Sequence, residues 1–204
     1  MEIELKWGLK NPEDLGRLLA HLPDVDAVLF QSNHYYSDSD GELSNRKTMV
    51  RFRQEGSVDD DSRQVILTVK RRVAKEAGVF RAEEVEEFID SVSWKELLAE
   101  KKSLDELQSP AIRALRSSGL KGEWKFQGSL NNKRHVVTLD GFILEVDKTT
   151  YDDGHIDVEV EVETEDTAGA KRLLTEIGQE CGIVFFEQTQ GKYSRFLSRS
   201  LGLR

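Results

Sequence analysis

Residues His155 to Asp166, HIDVEVEVETED, place Asp157, Glu159, Glu161, Glu163 and Glu165 at every second position. In an extended strand alternate side chains share a face, so the five carboxylates line up opposite Ile156, Val158, Val160 and Val162. The chain opens the same way, with Glu2, Glu4 and Lys6 alternating against Ile3 and Leu5. Two carboxylates about 4 Å apart repel by about 4 kcal/mol at an effective dielectric near 20, so a face built of them calls for cations. Oxygen donors without His or Cys beside them suit hard divalent ions, Mg2+ or Mn2+. Basic residues alternate elsewhere: Arg51 and Arg53 in MVRFR, Lys70 in LTVK, Arg81 beside Glu83 in FRAEEVEE, and Arg134 in KRHVVTL. Forked guanidinium donors and ammonium point charges are suited to phosphate. The chemistry suggested is that of a metal ion and a phosphate held together.

The elements that must position these residues are mostly strands. After the opening stretch, VLFQSNHYYSD, TMVRFRQ, QVILTVK, FRAEEVEEFID, EWKFQGSL, KRHVVTL and FILEVDKTTYD read as strands before HIDVEVEVETED, with turns at Asp40-Gly41 and Asp140-Gly141. An acidic loop, EGSVDDDSR, separates two of them. Helices are expected over NPEDLGRLLAHL, SWKELLAEKK, DELQSPAIRALRSS and TAGAKRLLTEIGQECG, the first with Asn11 as cap and Pro12 at its first position and the third interrupted by Pro110. About eight strands joined by short turns predict an α+β fold, an eight-stranded antiparallel β-barrel closed or nearly so. An open sheet with one charged, solvated face is the plainer alternative. Such faces normally mix in Thr, Ser and Gln, whereas here strand after strand repeats charge. The apolar faces then pack outward under helices, and the charges point into a lumen.

Composition restricts the options further. A chain of 204 residues is expected to form one domain, residues 1–204, large enough to bury a core. A net charge of −9 argues against nonspecific attraction to nucleic acid or to an anionic membrane. No apolar run reaches a membrane span, and the single cysteine, Cys181, excludes an internal disulfide and any cysteine-cluster metal site. His21, His34, His135 and His155 lack ligand spacing. A cytoplasmic monomer acting on a small molecule is the expectation.

The charged strands, in order, resemble the CYTH superfamily of triphosphate tunnel metalloenzymes. The E-x-E-x-K stretch is Glu2 to Lys6; NHYYSDSDGEL is similar to the family's aromatic-Asp turn, and MVRFR to its R-x-R strand. LTVK, FRAEEVEE, VEVEVETED and GKYSRFL come next in family order, the last carrying Lys192. A lone E-x-E-x-K is weak; seven collinear elements are not. LEVDKTTYDDG and EVETED look closest to the plant tripolyphosphatase branch. One departure stands out, since several relatives carry R-x-E-x-acid and this chain has Val85 at the last position. Either Val85 replaces an accessory acid, or a bulge turns Glu84 and Glu86 inward; Glu83 is taken as the ligand.

The resemblance implies a divalent-metal-dependent triphosphatase that hydrolyses the terminal phosphoanhydride of inorganic tripolyphosphate with Mg2+ or Mn2+, two cations per site. It implies metal ligation by Glu2, Glu4, Glu83, Asp147, Glu159 and Glu161. Triphosphate would be gripped by Lys6, Arg51, Arg53, Lys70, Arg81, Arg134 and Lys192, with Lys6, Glu4 and Arg53 closest to the chemistry. Thiamine triphosphatase and nucleoside or RNA 5′-triphosphatase share the fold and are alternatives, as is a non-catalytic polyphosphate-binding module. The adenylate cyclases of the family carry a His-Phe motif with no clear counterpart here.

Overall fold

A computed structural model describes residues 2–57, 63–76 and 78–200. Of the acidic loop expected at 55–63, positions 58–62 lie outside these. Nine strands occur among the described residues: β1 (Glu2–Leu9), β2 (Ala27–Asp38), β3 (Thr48–Ser57), β4 (Gln64–Glu76), β5 (Val79–Ile89), β6 (Trp124–Leu139), β7 (Phe142–Thr150), β8 (Ile156–Glu163) and the short β9 (Phe185–Glu187). The order β5-β4-β3-β2-β6-β7-β8-β1, with β1 pairing back onto β5, closes an eight-stranded barrel in which every pair is antiparallel; β9 is appended to β1. The expected closed barrel is borne out. The two stretches EWKFQGSL and KRHVVTL form one continuous strand, β6, rather than two. Leu139 and Phe142 are joined through Asp140 and Gly141, both at positive φ (49° and 80°), the two-residue turn that suits the twist of a hairpin.

Six helices among the described residues accompany the barrel: α1 (Leu15–His21), α2 (Glu42–Asn45), α3 (Ser91–Leu98), α4 (Pro110–Ser117), α5 (Thr167–Cys181) and α6 (Lys192–Ser200). The strands' apolar faces point outward, as the alternation requires. Leu5, Val137, Leu144, Val146, Val158, Val160 and Val162 pack beneath Leu18 of α1 and Leu173, Leu174 and Ile177 of α5. On the other side Val50, Phe52, Val65 and Leu67 pack against Leu43, Trp94, Leu97 and Ile112 of α2 to α4. Each such fully buried side chain is worth about 1.5–3 kcal/mol relative to exposure, and this outer packing leaves the lumen to polar groups. Pro110 does not interrupt a helix. It occupies the first turn of α4, where Ser109 accepts a hydrogen bond from the Ile112 amide. At the N-terminal end Pro12–Asp14 form a 3-10 turn ahead of α1, and Asn11 makes no side-chain cap.

Helix α6 is different from the other five. Its Phe196 packs with Tyr35, Leu130 and Tyr151, residues from inside one end of the barrel. The helix seats there because β6 carries Gly128 at φ 129°, beside a register shift opposite Tyr35 and Tyr36. A Cβ at Gly128 would lie 2.8 Å from the Phe196 ring. No helix among the described residues is long and apolar enough to cross a membrane.

Candidate active site

Strand register carries the charged residues into the lumen in tiers. Lys6 lies opposite Glu161, Glu161 opposite Glu145, Glu159 opposite Asp147, and Asp147 opposite Arg134. Across the barrel Arg51 lies opposite Thr68 and Lys70 opposite Glu84. The outcome is one acid-rich wall on β1, β7 and β8, and one basic wall on β3, β4 and β6.

Asp147, Glu159 and Glu161 are 0%, 1% and 3% exposed, and each offers a carboxylate oxygen within 4.8 Å of the others. The Lys192 ammonium sits among them, 2.7 Å from Asp147, 2.7 Å from Glu159 and 2.8 Å from Glu161. Arg134 donates to Asp147 through Nε at 2.8 Å and Nη2 at 2.6 Å, reaches Glu161 at 2.9 Å and pairs with Glu145. Lys6 bridges Glu161 and Glu4, the latter at 2.7 Å. These neighbours outweigh burial. Although burial raises the Asp147 and Glu161 carboxyls, Lys192 and then Arg134 or Lys6 hold both below the usual range. Lys192 is correspondingly raised, against the effect of its burial, by Asp147, Glu159 and Glu161.

A second acid group lies around Lys70, whose Nζ is 2.6 Å from Glu2, 2.9 Å from Glu84 and 3.7 Å from Glu4. Burial, and then a hydrogen bond shared with Glu84, push Glu2 up to about 8. Glu84 moves the other way: against burial, the Glu2 hydrogen bond and the Lys70 charge bring it to about 2. The opposite directions are those expected of two carboxyls forced together, where a single proton is favoured over two charges.

On the basic wall Arg51 donates to Thr68 at 3.1 Å and approaches Glu86 at 3.7 Å, while Arg53 approaches Glu55 at 3.7 Å. The buried Nε donors of Arg51 and Arg53 have no hydrogen-bond partner among the described residues. Burial, then the charges of Arg51 and Arg134, depresses Arg53. A guanidinium kept charged in such a place is short of anion, and an incoming phosphate would correct that.

Of the expected ligands, the lumen gathers Glu2, Glu4, Asp147, Glu159 and Glu161, together with Lys6, Arg51, Arg53, Lys70, Arg134 and Lys192. It does not gather Glu83 or Arg81. Glu83 lies opposite Arg71 on the outer face and pairs with it at 2.6 Å, both side chains being more than half exposed. Arg81 lies opposite Ile3, also outward, and is exposed at the rim of the lumen cavity. Phe80, Ala82, Glu84 and Glu86 share the inward face instead, because Glu2 faces Ala82 and Glu4 faces Phe80. The irregularity that accommodates this register is in β4, between Arg72 and Ala74, not in β5.

Sequence reasoning also missed Arg195, which reaches in from α6 to Glu159 and Asp157, both at 2.9 Å, and receives support from the Tyr151 hydroxyl. Its signal was present: Tyr193, Phe196 and Leu197 are spaced as the apolar stripe of a helix. Trp7 lies outside the lumen, against Phe185.

These residues fit a divalent cation. The donors are all carboxylate oxygens, and Glu159 Oε2 is buried with no hydrogen bond from any described residue to satisfy it. An ammonium already occupies the centre of the Asp147, Glu159, Glu161 trio. Glu2, Glu4 and Glu84 form a second group of oxygens alongside.

The charge balance here leads to a stability prediction. Truncating Arg134 strands Asp147, Glu145 and Glu161 with less counter-charge, so Arg134→Ala should cost about 3–5 kcal/mol in the metal-free protein. Denaturant unfolding in chelator measures it, and a cost below about 1 kcal/mol would mean that the network is not what holds this wall together.

Comparison with known proteins places this geometry. HpAC1 from Hippeastrum, described as an adenylyl cyclase candidate with a dominant triphosphatase activity, is similar over 98% of this chain and 96% of its own, at 28% identity and TM-score 0.85. An adenylate cyclase candidate from Bacillus halodurans (24% identity, 97% and 98% coverage, TM-score 0.74) and PH1819 from Pyrococcus horikoshii (18%, 98% and 99%, 0.63) share the fold. No curated protein sequence matches the chain significantly. The CYTH domain matches residues 1–189, a span that takes in all the strands named above and stops just short of α6, and the protein belongs to the CYTH domain family.

Proposed function

We propose that the protein is a divalent-metal-dependent triphosphatase that hydrolyses the terminal phosphoanhydride of inorganic tripolyphosphate. The observation that carries this reading is the pairing, within one lumen, of carboxylates suited to a cation with buried arginine donors that lack an acceptor among the described residues. A triphosphatase activity is described for HpAC1, which supports the reaction class.

Asp147, Glu159 and Glu161, with Glu2, Glu4 and Glu84, would hold Mg2+ or Mn2+. Bound there, such ions supply charge neutralisation of the phosphates and a water of lowered pKa. The chain's own part is positioning. Arg51 and Arg53 grip phosphate oxygens from the wall opposite the acids, and their immobilisation at alternate positions of one strand removes the need to reorganise during the reaction. Lys6, between Glu4 and Glu161, stands where the acid wall meets the substrate and can shift from carboxylate to phosphate. Lys192 must yield its place among the three carboxylates, and its ammonium is then free for a phosphate oxygen. No covalent nucleophile is required.

Steady-state kinetics on tripolyphosphate, ATP, thiamine triphosphate and pyrophosphate test the reading. Tripolyphosphate is expected to exceed both organic triphosphates in kcat/KM by at least ~10-fold, about 1.4 kcal/mol of transition-state binding. Pyrophosphate should be poor because it cannot span the acid wall and the arginines. If thiamine triphosphate is preferred, the organic alternative replaces this one.

The Glu2–Glu84 pair makes a further prediction. Glu2 keeps its proton up to about pH 8, whereas a metal requires the carboxylate. Metal binding at neutral pH should therefore release close to one proton, and release should fade as pH rises past about 8. Titration calorimetry in buffers of different ionisation enthalpy reads this directly; buffer-independent heats at pH 7 would rule it out. In the metal-free protein the same shift contributes stability that is full below 4.5 and lost as pH climbs through about 8. Glu84 contributes oppositely, with its share present above 4.5 and lost as pH falls through about 2.

A further inference from the structure

The lumen opens, beside the first turn of α6, into a cavity of about 220 Å³ whose walls include Lys6, Arg51 and Lys70 on the inner side and Lys47, Arg72 and Arg81 farther out. The inner three are paired with carboxylates or hydroxyls. The outer three are not: among the described residues none of Lys47, Arg72 and Arg81 has a carboxylate partner within ion-pair distance. In a chain of net charge −9, with acids abundant on its surface, three neighbouring cations left without such a partner are unusual.

Their placement is built in. Arg72 comes two residues after Lys70 on the same face of β4, so it projects about 7 Å farther along the strand. Its amide donates to the Lys47 carbonyl at 3.1 Å, which ties the turn before β3 to β4, and both residues line the same cavity. Lys47 holds a left-handed backbone (φ 54°), a conformation that disfavours most side chains. Thus the backbone of both residues is anchored where the basic cavity opens.

We propose that this outlet is a subsite for the fourth and later phosphates of linear inorganic polyphosphates, with Lys47 and Arg72 gripping them and Arg81 at the rim. This rests on the triphosphate reading of the lumen and extends it outward. Met49, Phe80, Tyr193 and Leu197 line the same cavity and would suit a neutral ring, but a nucleoside would make no use of the unpaired cations. The charges decide in favour of an anionic chain.

The test is binding of linear tripolyphosphate, linear tetrapolyphosphate and ATP to the full-length protein by calorimetry, at fixed ionic strength and with Ca2+ as the only divalent cation, so that the acid wall is neutralised while turnover stays slow. Wild type should bind tetrapolyphosphate at least ~10-fold more tightly than tripolyphosphate, as expected for an added charge-assisted contact. Lys47→Ala/Arg72→Ala, and independently Lys47→Gln/Arg72→Gln, should reduce that ratio to within about twofold, with thermal unfolding confirming that each variant is folded. Equal binding of the two polyphosphates by wild type, or a ratio that survives both double variants, would overturn the proposal. So would ATP gaining the extra affinity in place of tetrapolyphosphate, because it would assign the outlet to the ring. Failure of the triphosphatase reading shows elsewhere, as absence of tripolyphosphate turnover when Mg2+ or Mn2+ is supplied.

Discussion

Removal of divalent cations with chelator is expected to abolish tripolyphosphate turnover, and Mg2+ or Mn2+ to restore it. The expectation comes from the acid wall. Asp147, Glu159 and Glu161 lie deep in the lumen, where Lys6, Arg134, Lys192 and Arg195 neutralise them in the metal-free protein. A substrate bearing several negative charges cannot approach these carboxylates unless cations intervene, since each close carboxylate–phosphate contact is repulsive by several kcal/mol in a site shielded from water. The loss should exceed ~10³-fold, the scale of removing a group that both neutralises charge and activates water. Ca2+ should restore little, because its longer and looser coordination would misplace the attacking water. Undiminished turnover in chelator would end the metal-dependent reading, whatever became of the fold.

Single carboxylates should separate just as sharply. Glu161→Gln and Glu4→Gln are expected to lower kcat by at least ~10²-fold, comparable to losing one essential electrostatic group in other active sites. Both acids touch Lys6, and Glu161 also touches Arg134 and Lys192, so a neutral amide there disturbs the acid wall and its counter-charges together. Glu83→Gln and Glu165→Gln should change kcat by less than about twofold, because Glu83 pairs with Arg71 outside the barrel and Glu165 lies past the end of β8. Arg53→Ala should raise KM as well as lower kcat, having lost a contact made in the ground state. Equal losses from Glu83 and Glu161 would show that the β5 register is wrong.

The contrast between Glu161 and Glu83 also shows where the sequence was readable. Along β1 and β8 alternation is unbroken, so fixing one residue on the inner face fixes all the others, and both E-x-E stretches could be oriented without a structure. In β5 acids stand at 83, 84, 86 and 87, so each face of the strand carries two of them. Only pairing decides between the faces: β1 sets Glu2 against Ala82, and the irregularity at Val73 lets β4 follow. A slip of one residue exchanges Glu83 for Glu84, and nothing local to either reports it.

The C-terminal segment was opaque for a different reason. Lys192 could be assigned to phosphate through a motif, but its helix could not be placed inside the barrel without knowing that Gly128 leaves room for Phe196. Arg195 depends on that placement and was invisible with it. The lumen's charge balance is thus legible in outline, as acids facing bases, while its closure at one end belongs to tertiary packing.

The pairing of β1 has a consequence for how the molecule is made. This strand supplies Glu2, Glu4 and Lys6, yet its partners are β5, β8 and β9, and Lys6 meets Glu161 across 155 residues of sequence. On the ribosome β1 emerges before all of them and waits longest. Until β8 has been synthesised, one of its edges has nothing native to bind, and Lys6 lacks Glu161. Such distant pairing makes folding slow and exposes an unpaired edge in the interval. The charged residues at alternate positions of β1 then also serve the nascent chain, since edge strands studded with charge resist pairing with neighbouring polypeptides. The residues that would hold metal in the finished barrel are the ones that keep this strand solitary while it waits.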